Sequence, residues 1–302
     1  MKMQQLNDTN YLFKSSVNVG YVHEGSQGLL IDAGIDKSAI RKVVRQLEDK
    51  DLPITHLIIT HAHSDHYGGA SYLKQQYDVK VIAPRFESAI LQYPILEPTY
   101  LFGGNDPIDE LRNKFLEGPP VEVDILVDEG PTNIDPFSLE FIETPGHSYQ
   151  QMAVAINNTL YAADSYFGQD ELLKHKIPYI TSVEKTIHSL YKLKNLTYSG
   201  AVPGHGKYEE NYQETINKNI EYHENLLHNV YYTIEKANMI SHEEIVARLC
   251  QDMNVKVDQL SIFLLFRTAV TAYLTALINQ EKIEHYIQHY RWMFKIKGEK
   301  GD

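Results

Sequence analysis

The six residues His61-Ala62-His63-Ser64-Asp65-His66 constrain this chain more than any other stretch, because they place three imidazoles and a carboxylate directly after an apolar run, Ile54 to Thr60. On extended backbone, side chains two residues apart point the same way, so His61 and His63 address one spot. Asp65 and His66 follow where the chain turns into Gly68-Gly69 and a helix expected over Ala70 to Tyr77. Such a loop can offer ligands to two neighbouring cations, and nitrogen and carboxylate donors suit zinc, iron or manganese. The plain alternative is a solvated polar loop, and the rest of the chain decides against it.

Around this cluster the first two hundred residues alternate short apolar runs with helical spacing. Gly28 to Asp32 reads as a buried strand ending on a carboxylate, Lys37 to Leu47 as a helix, and Lys80 to Pro84 as a further strand. Strand, helix, strand at this spacing favours an α/β sandwich over a helical bundle. From Arg85 to Glu129 the pattern weakens and prolines and glycines interrupt it, which predicts a lid or a surface insertion with partial helix around Ile108 to Leu116. Strands resume at Ser138 to Glu143, Met152 to Ile156 and Leu160 to Ala163, the last two joined by the turn signal Asn157-Asn158. Beyond Gly206 a long helix over Tyr212 to Lys236 is followed by a capped helix, Glu244 to Cys250, and an apolar helix, Asp258 to Gln280. An aromatic-rich hairpin, Ile283 to Lys297, ends the pattern, so the tail has a winged-helix outline.

Three more strand ends carry metal-binding side chains: Thr144-Pro145-Gly146-His147, Leu160-Tyr161-Ala162-Ala163-Asp164 and Ala201-Val202-Pro203-Gly204-His205-Gly206. In order and spacing, Asp32, the His61 cluster, His147, Asp164 and His205 resemble the five motifs of the metallo-β-lactamase superfamily, over about residues 15 to 210. The resemblance implies a four-layer αββα sandwich with a mainly helical C-terminal extension. It implies a catalytic domain over 1–210, with 85–129 as lid or insertion, and a helical, winged-helix-like domain over 211–302. By motif, His61, His63 and His147 would hold one divalent metal and Asp65, His66 and His205 a second, with Asp164 bridging both. Zinc is the first expectation for the pair, iron or manganese the alternatives. Asp65 and Asp164 are the expected catalytic carboxylates. Asp32 would stand behind the ligands and orient one of them. Tyr166, Phe167, His175 and His223 are the expected pocket residues.

Two such cations about 3.5–4 Å apart share a water whose pKa falls to near neutrality, which makes hydrolysis the expected reaction. Ser64 and Ser148 lie beside ligands, but that hydroxide leaves a serine nucleophile without a task. The His-x-His-x-Asp-His pattern followed by Gly-Gly is similar to the glyoxalase II-like thioester hydrolases, so the expected substrate is a small carboxyl ester, thioester or lactone. The tail outline resembles the lactamase-like endoribonucleases, which keeps a phosphodiesterase open. A mononuclear-iron persulfide dioxygenase is the other alternative, set against a second ligand set that is complete here.

Charge weighs against nucleic acid: 28 Lys and Arg stand against 40 Asp and Glu, a net of −12, and the tail holds only Arg291, Lys295, Lys297 and Lys300 as a basic cluster. A single cysteine, Cys250, builds neither an internal disulfide nor a thiolate cluster. With no signal peptide visible and no stretch near the ~20 apolar residues of a membrane span, a cytoplasmic enzyme acting on a small molecule is expected. The apolar tail helices would serve equally as packing surface for the first domain or as a homodimer interface.

Overall fold

Leu29, Leu30 and Ile31 are all buried, although successive side chains of a strand face opposite ways. Only a sheet covered on both sides buries such a run. That sheet has seven strands in chain order: β1 Lys2–Gln5, β2 Asn10–Lys14, β3 Val19–Glu24, β4 Gln27–Ile31, β5 His56–Ile58, β6 Lys80–Pro84 and β7 Ile125–Val127. β1 to β4 form an antiparallel meander, and β4 to β7 run parallel. A second sheet holds β8 Gly130–Ile134, β9 Phe137–Glu143, β10 Met152–Ile156, β11 Thr159–Ala163 and β12 Gly200–Pro203. Its order is β12-β11-β10-β9-β8, antiparallel except for the β11–β12 pair. The computed structural model describes residues 1–298, so Lys300 of the basic cluster lies outside the described residues.

The sheets face each other across one apolar layer, in which Leu29, Ile31 and Ile58 meet Phe141, Val154 and Tyr161. The outer face of the first sheet is covered by α1 Lys37–Glu48 and α3 Ala70–Tyr77, which bury Ile40, Val43, Leu47 and Leu73 with Leu30 and Leu57. Between those helices in sequence lies α2 Ser64–Tyr67, a single turn. This is the expected four-layer αββα sandwich. The strand expected over Ile54 to Thr60 shrinks to three residues because its end is diverted: the Thr60 N–H donates to Asp32 Oδ1 instead of the ladder.

The segment from Arg85 is more regular than its sequence suggests. Two short helices, α4 Arg85–Gln92 and α5 Leu96–Leu101, precede β7, and Pro98 is tolerated in α5 because it sits in the first turn. The helix expected around Ile108 to Leu116 is instead one 3-10 turn, Asp109–Leu111.

After β11 come α6 Gln169–His175 and α7 Val183–Lys194, and beyond β12 come α8 Tyr212–Ala237, α9 His242–Asp252 and α10 Leu260–Asn279. Ser241 caps α9 by accepting from Glu244 N, as the capping box predicts, and the helix runs further than Cys250. β13 Ile240–Ser241, β14 Ile283–Gln288 and β15 Arg291–Ile296 form a small sheet in the order β13-β15-β14. Helices and small sheet share a core of Leu249, Val270, Tyr273 and Phe294 that also takes in Ile177, Ile180 and Val183. Tyr212, Ile216 and Ile220 of α8 meanwhile cover the second sheet beside Leu190 and Leu193. Contrary to the sequence expectation, one helix, α10, is long and apolar enough to cross a membrane by length and composition. Its apolarity has a local cause, since Leu264, Ala269, Val270, Tyr273, Leu274 and Leu277 are buried within the protein.

Candidate metal centre

Strand direction gathers the site. β4 and β5 are parallel, and they end at Asp32 and just before His61. In the second sheet β9, β11 and β12 run one way, and they lead into His147, Asp164 and His205. All seven expected ligands thus follow the C-terminal ends of strands that converge on one edge of the sandwich.

Three imidazole nitrogens meet first. His63 Nδ1 lies 3.1 Å from His61 Nε2 and 2.8 Å from His147 Nε2. A tetrahedral shell with metal–nitrogen bonds of about 2.0–2.1 Å has edges of about 3.3 Å, so the trio is spaced as ligands to one ion would be. The tautomer of His147 is set from behind, where its Nδ1–H donates to the Tyr179 carbonyl at 2.9 Å and turns the Nε2 lone pair inward. Burial lowers the pKa of all three: His61 well below its ordinary value, His63 to about 4 and His147 to about 3. They are neutral at pH 7, the form a cation needs.

The second set lies alongside. Asp164 Oδ2 is 3.4 Å from His147 Nε2 and 3.2 Å from His205 Nε2, while its Oδ1 is 3.2 Å from His66 Nε2. Asp164 therefore touches both sets. Asp65 Oδ2 lies 3.5 Å from His205 Nε2, and Asp65, His66 and His205 together can present one ligand atom each to a single ion. Burial alone would lower the pKa of His66 and His205, but nearby carboxylates outweigh it, Asp164, Asp32 and Asp65 at His66 and Asp164 and Asp65 at His205. His66 is held well above its ordinary value and His205 is raised to about 10. Burial would likewise raise the Asp164 carboxyl, yet the two imidazoles hold it well below. The pocket is thus built around buried negative charge that requires positive charge beside it. Asp164 Oδ1 and His66 Nε2 are fully buried, and although 3.2 Å apart they are not aligned for a hydrogen bond and have no other partner. Orphaned donor atoms of this kind, with the close imidazole trio, fit divalent metal.

Asp32 stands behind His66, where the sequence places it. Buried and in the left-handed region at φ 63°, it accepts from His66 Nδ1 at 2.7 Å and from Thr60 N and Oγ1, both at 2.9 Å. That bond points His66 Nε2 at Asp164. Gly204 is required by space: a Cβ there would lie 2.0 Å from Asp164 Oδ1 and 2.9 Å from His66 Cε1.

Of the expected pocket residues, Phe167 and His175 stand at the site, with rings 5.6 and 6.0 Å from that of His205. Tyr166 turns the other way, into the layer between the second sheet and α7 and α8. His223 is buried, with Nδ1 2.8 Å from the Tyr273 hydroxyl, and together with Tyr166 it lines a small enclosed cavity behind His147 and Asp164. Both serines are committed elsewhere, Ser64 Oγ donating to Lys114 O and Ser148 Oγ to Glu87.

Sequence reasoning missed Thr60, Glu87 and Tyr179. Glu87 is fully buried and accepts from Ala62 N, Ser148 Oγ and Gln150 N, which ties the loop of His61 to the loop of His147. Thr60 had the one visible signal, a hydroxyl at the strand end beside His61.

Comparison with known proteins agrees with this geometry. A family model described as the metallo-beta-lactamase superfamily matches residues 13–205. A hydroxyacylglutathione hydrolase of Rhodopseudomonas palustris (strain BisB5) is 27% identical over 155 residues, 50% of this chain and 49% of that protein. The lactamase-like protein aptB of Emericella nidulans is 24% identical over 221 residues, 73% of this chain and 60% of its own length. The match to the first of these thus spans about half of that relative. Among solved structures, a beta-lactamase domain protein from Burkholderia ambifaria superposes with a TM-score of 0.77 at 17% identity, covering 98% of this chain and 94% of that one. A metallo-beta-lactamase family protein from Thermus thermophilus gives 0.75 at 16% identity, covering 97% and 100%. With a family model over most of the sandwich and that family's fold along almost the whole chain, this protein belongs to the metallo-beta-lactamase superfamily.

Proposed function

We propose that the protein is a dinuclear metal-dependent hydrolase of a carboxyl ester, thioester or lactone, with a thioester first among these. The observation that carries the reading is the position of Asp164, within 3.4 Å of imidazole nitrogens from both ligand sets. The similarity to a hydroxyacylglutathione hydrolase favours the thioester. When bound, a pair of divalent cations lowers the pKa of water to near neutrality and polarises the carbonyl under attack.

The chain's own contribution is placement. His61, His63 and His147 would hold one ion as neutral donors and Asp65, His66 and His205 the other, with Asp164 in reach of both sets. Asp32 and the Tyr179 carbonyl fix which nitrogen of His66 and His147 faces inward. Water then adds across the scissile bond, its hydroxyl to the acyl carbon and its proton to the departing thiol or alcohol. The carboxylates of half-buried Asp65 and buried Asp164 are the groups beside which that proton moves. The complete second set speaks against one-metal oxygenase chemistry. The net charge of −12 speaks against an RNA path and for a small-molecule partner.

The test is metal content of protein purified without chelator, with a panel of thioesters, esters, lactones, phosphodiesters and single-stranded RNA assayed on the same preparation. Close to two metal atoms per chain with chelator-sensitive thioester or ester turnover is the expected result. One iron per chain with oxygen uptake, or turnover of RNA alone, overturns the reading.

A further inference from the structure

Beside the metal centre, and sharing His63 with it, lies a cavity of about 440 Å³, within the ~300–1,000 Å³ range of small-molecule sites. The segment from Arg85 onward builds one wall, with Phe86, Ala89 and Ile90 on α4 and Leu96 and Tyr100 on α5. Tyr149, next to the loop of His147, closes the other side, and its ring meets Phe86 with centroids 4.3 Å apart. Phe86, Leu96, Tyr100 and Tyr149 are all substantially exposed, which is costly for large apolar side chains unless something covers them.

The polar residues in this lining do not make it polar. Thr99 Oγ1 donates to Ile95 O, Thr181 Oγ1 to Gly146 O, and Ser148 Oγ to Glu87. The Glu87 carboxylate is occupied by Ala62 N, Ser148 Oγ and Gln150 N. What remains is two phenols and the His63 ring. No Lys or Arg lines the cavity among the described residues, and Lys185 reaches its rim only as a cation 4.8 Å over the Tyr149 ring. A ligand bearing carboxylates and an ammonium, such as glutathione, would leave its charges there without partners, whereas a hydrocarbon loses nothing by entering.

We propose that this cavity holds an apolar chain carried by the substrate next to its scissile carbonyl, which makes the substrate an alkyl or acyl-chain ester or thioester and not a charged conjugate. The inference rests on the hydrolase reading above for the reaction, and on the cavity alone for the chain. The chain enters from either side of the scissile bond, as acyl group or as leaving group.

Two substrate series separate those sides. One lengthens the acyl group from acetyl to decanoyl on a neutral thiol, N-acetylcysteamine, and the other lengthens the thiol of an acetyl thioester. In one of the two, kcat/KM rises about fourfold per methylene until the cavity is full, the ratio that ~0.8 kcal/mol per buried CH2 corresponds to. S-Lactoylglutathione falls well below the longer chains. Ala89→Trp, at an exposed helix position that fills the cavity, and Leu96→Asp, which charges its wall, both flatten the dependence on chain length. A readout free of turnover is calorimetric binding of n-alkanols to the untreated protein, tightening with chain length and weakened in both variants. Flat series on both sides, or a preference for S-lactoylglutathione, overturn the proposal while leaving the hydrolase intact. Alkanol binding that follows chain length, with no ester or thioester turned over, overturns the hydrolase and supports the apolar site.

Discussion

Replacing Asp32 by asparagine isolates the role of one buried carboxylate. Its two oxygens receive three donors, His66 Nδ1–H, Thr60 N–H and the Thr60 hydroxyl, at 2.7 to 2.9 Å. An asparagine has one acceptor oxygen, so one of the two positions must present an NH2. If it faces Thr60 N–H, two buried donors oppose each other, at a cost of about 1–3 kcal/mol in stability. If it faces His66, the imidazole gives up its Nδ1 proton and carries the proton on Nε2, the atom directed at Asp164, where it no longer serves as a ligand. Loss of such an orienting partner typically weakens metal binding about 10- to 100-fold. The backbone is not the problem, since asparagine tolerates φ near +60°. Competition titration with a chromophoric chelator, alongside thermal melting, reads both branches. The expected result is a 10- to 100-fold weaker affinity for one of two metals, or a melting point lower by a few degrees with binding kept. An Asp32→Asn protein that binds both metals as tightly as the parent and melts at the same temperature refutes the orienting role.

Gly204→Ala drives a methyl into Asp164 Oδ1 and His66 Cε1, so kcat/KM drops at least about 100-fold with loss of one metal by elemental analysis; wild-type turnover refutes the packing argument. Glu97 is buried with Oε2 unpartnered, and burial, with Asp65 and Glu87 nearby, holds its carboxyl well above the ordinary value of 4.5. The folded chain keeps a proton that the unfolded chain releases above that value, so this group removes stability as pH rises through the window between the two. Glu97→Gln melts progressively higher than the parent from pH 5 to 8, and parallel melting curves across that range refute the assignment. Truncation after residue 210 strips α8 from Leu190 and Leu193 and strips α10 from Leu101, Leu111 and Leu116. The shortened chain aggregates or loses activity, and a soluble, fully active one would show the tail to be an independent appendage.

The candidate ligands are legible in sequence because their signal is local. Each sits at the end of an apolar run, and strand periodicity alone says which way the run points. What escaped the sequence is whatever depends on contact across distance. Tyr179 works through its carbonyl, an atom every residue has, so its side chain says nothing. Glu87 reaches Ser148 and Gln150 across some sixty positions, from a segment whose prolines concealed two helices. Tyr166 and Phe167 are neighbours whose side chains leave a turn in opposite directions, one into the core and one toward His205. His223 follows His205 in sequence, but its helix presents it to Tyr273. Composition did mislead at α10, where a soluble-looking chain contains a helix with the length and apolarity of a membrane span.

Several unfavourable features of this chain lie together at the edge where the strand ends converge. Ala163 is held at φ 49°, left-handed without a glycine's freedom, immediately before Asp164. Asp32 is left-handed too, Asp164 is a buried carboxylate with an oxygen that no hydrogen bond satisfies, and Gly204 leaves room for nothing larger. Left-handed residues also occur elsewhere, among them Lys176, Glu281, His289 and Tyr290, but there they close turns and helix ends, while α1 and α7 begin at the caps Asp36 and Ser182. Backbone strain, an unsatisfied carboxylate oxygen and a space that admits only glycine, held together among the candidate ligands, are the pattern of a site kept for chemistry at a cost to stability. The second apolar exposure, at α4 and α5, adjoins the same edge through His63. A reacting group and the chain attached to it need those two features side by side. The segment that sequence alone read as a lid or surface insertion therefore forms a wall of the cavity beside the candidate metal centre, and the chain-length series proposed above tests what that wall receives.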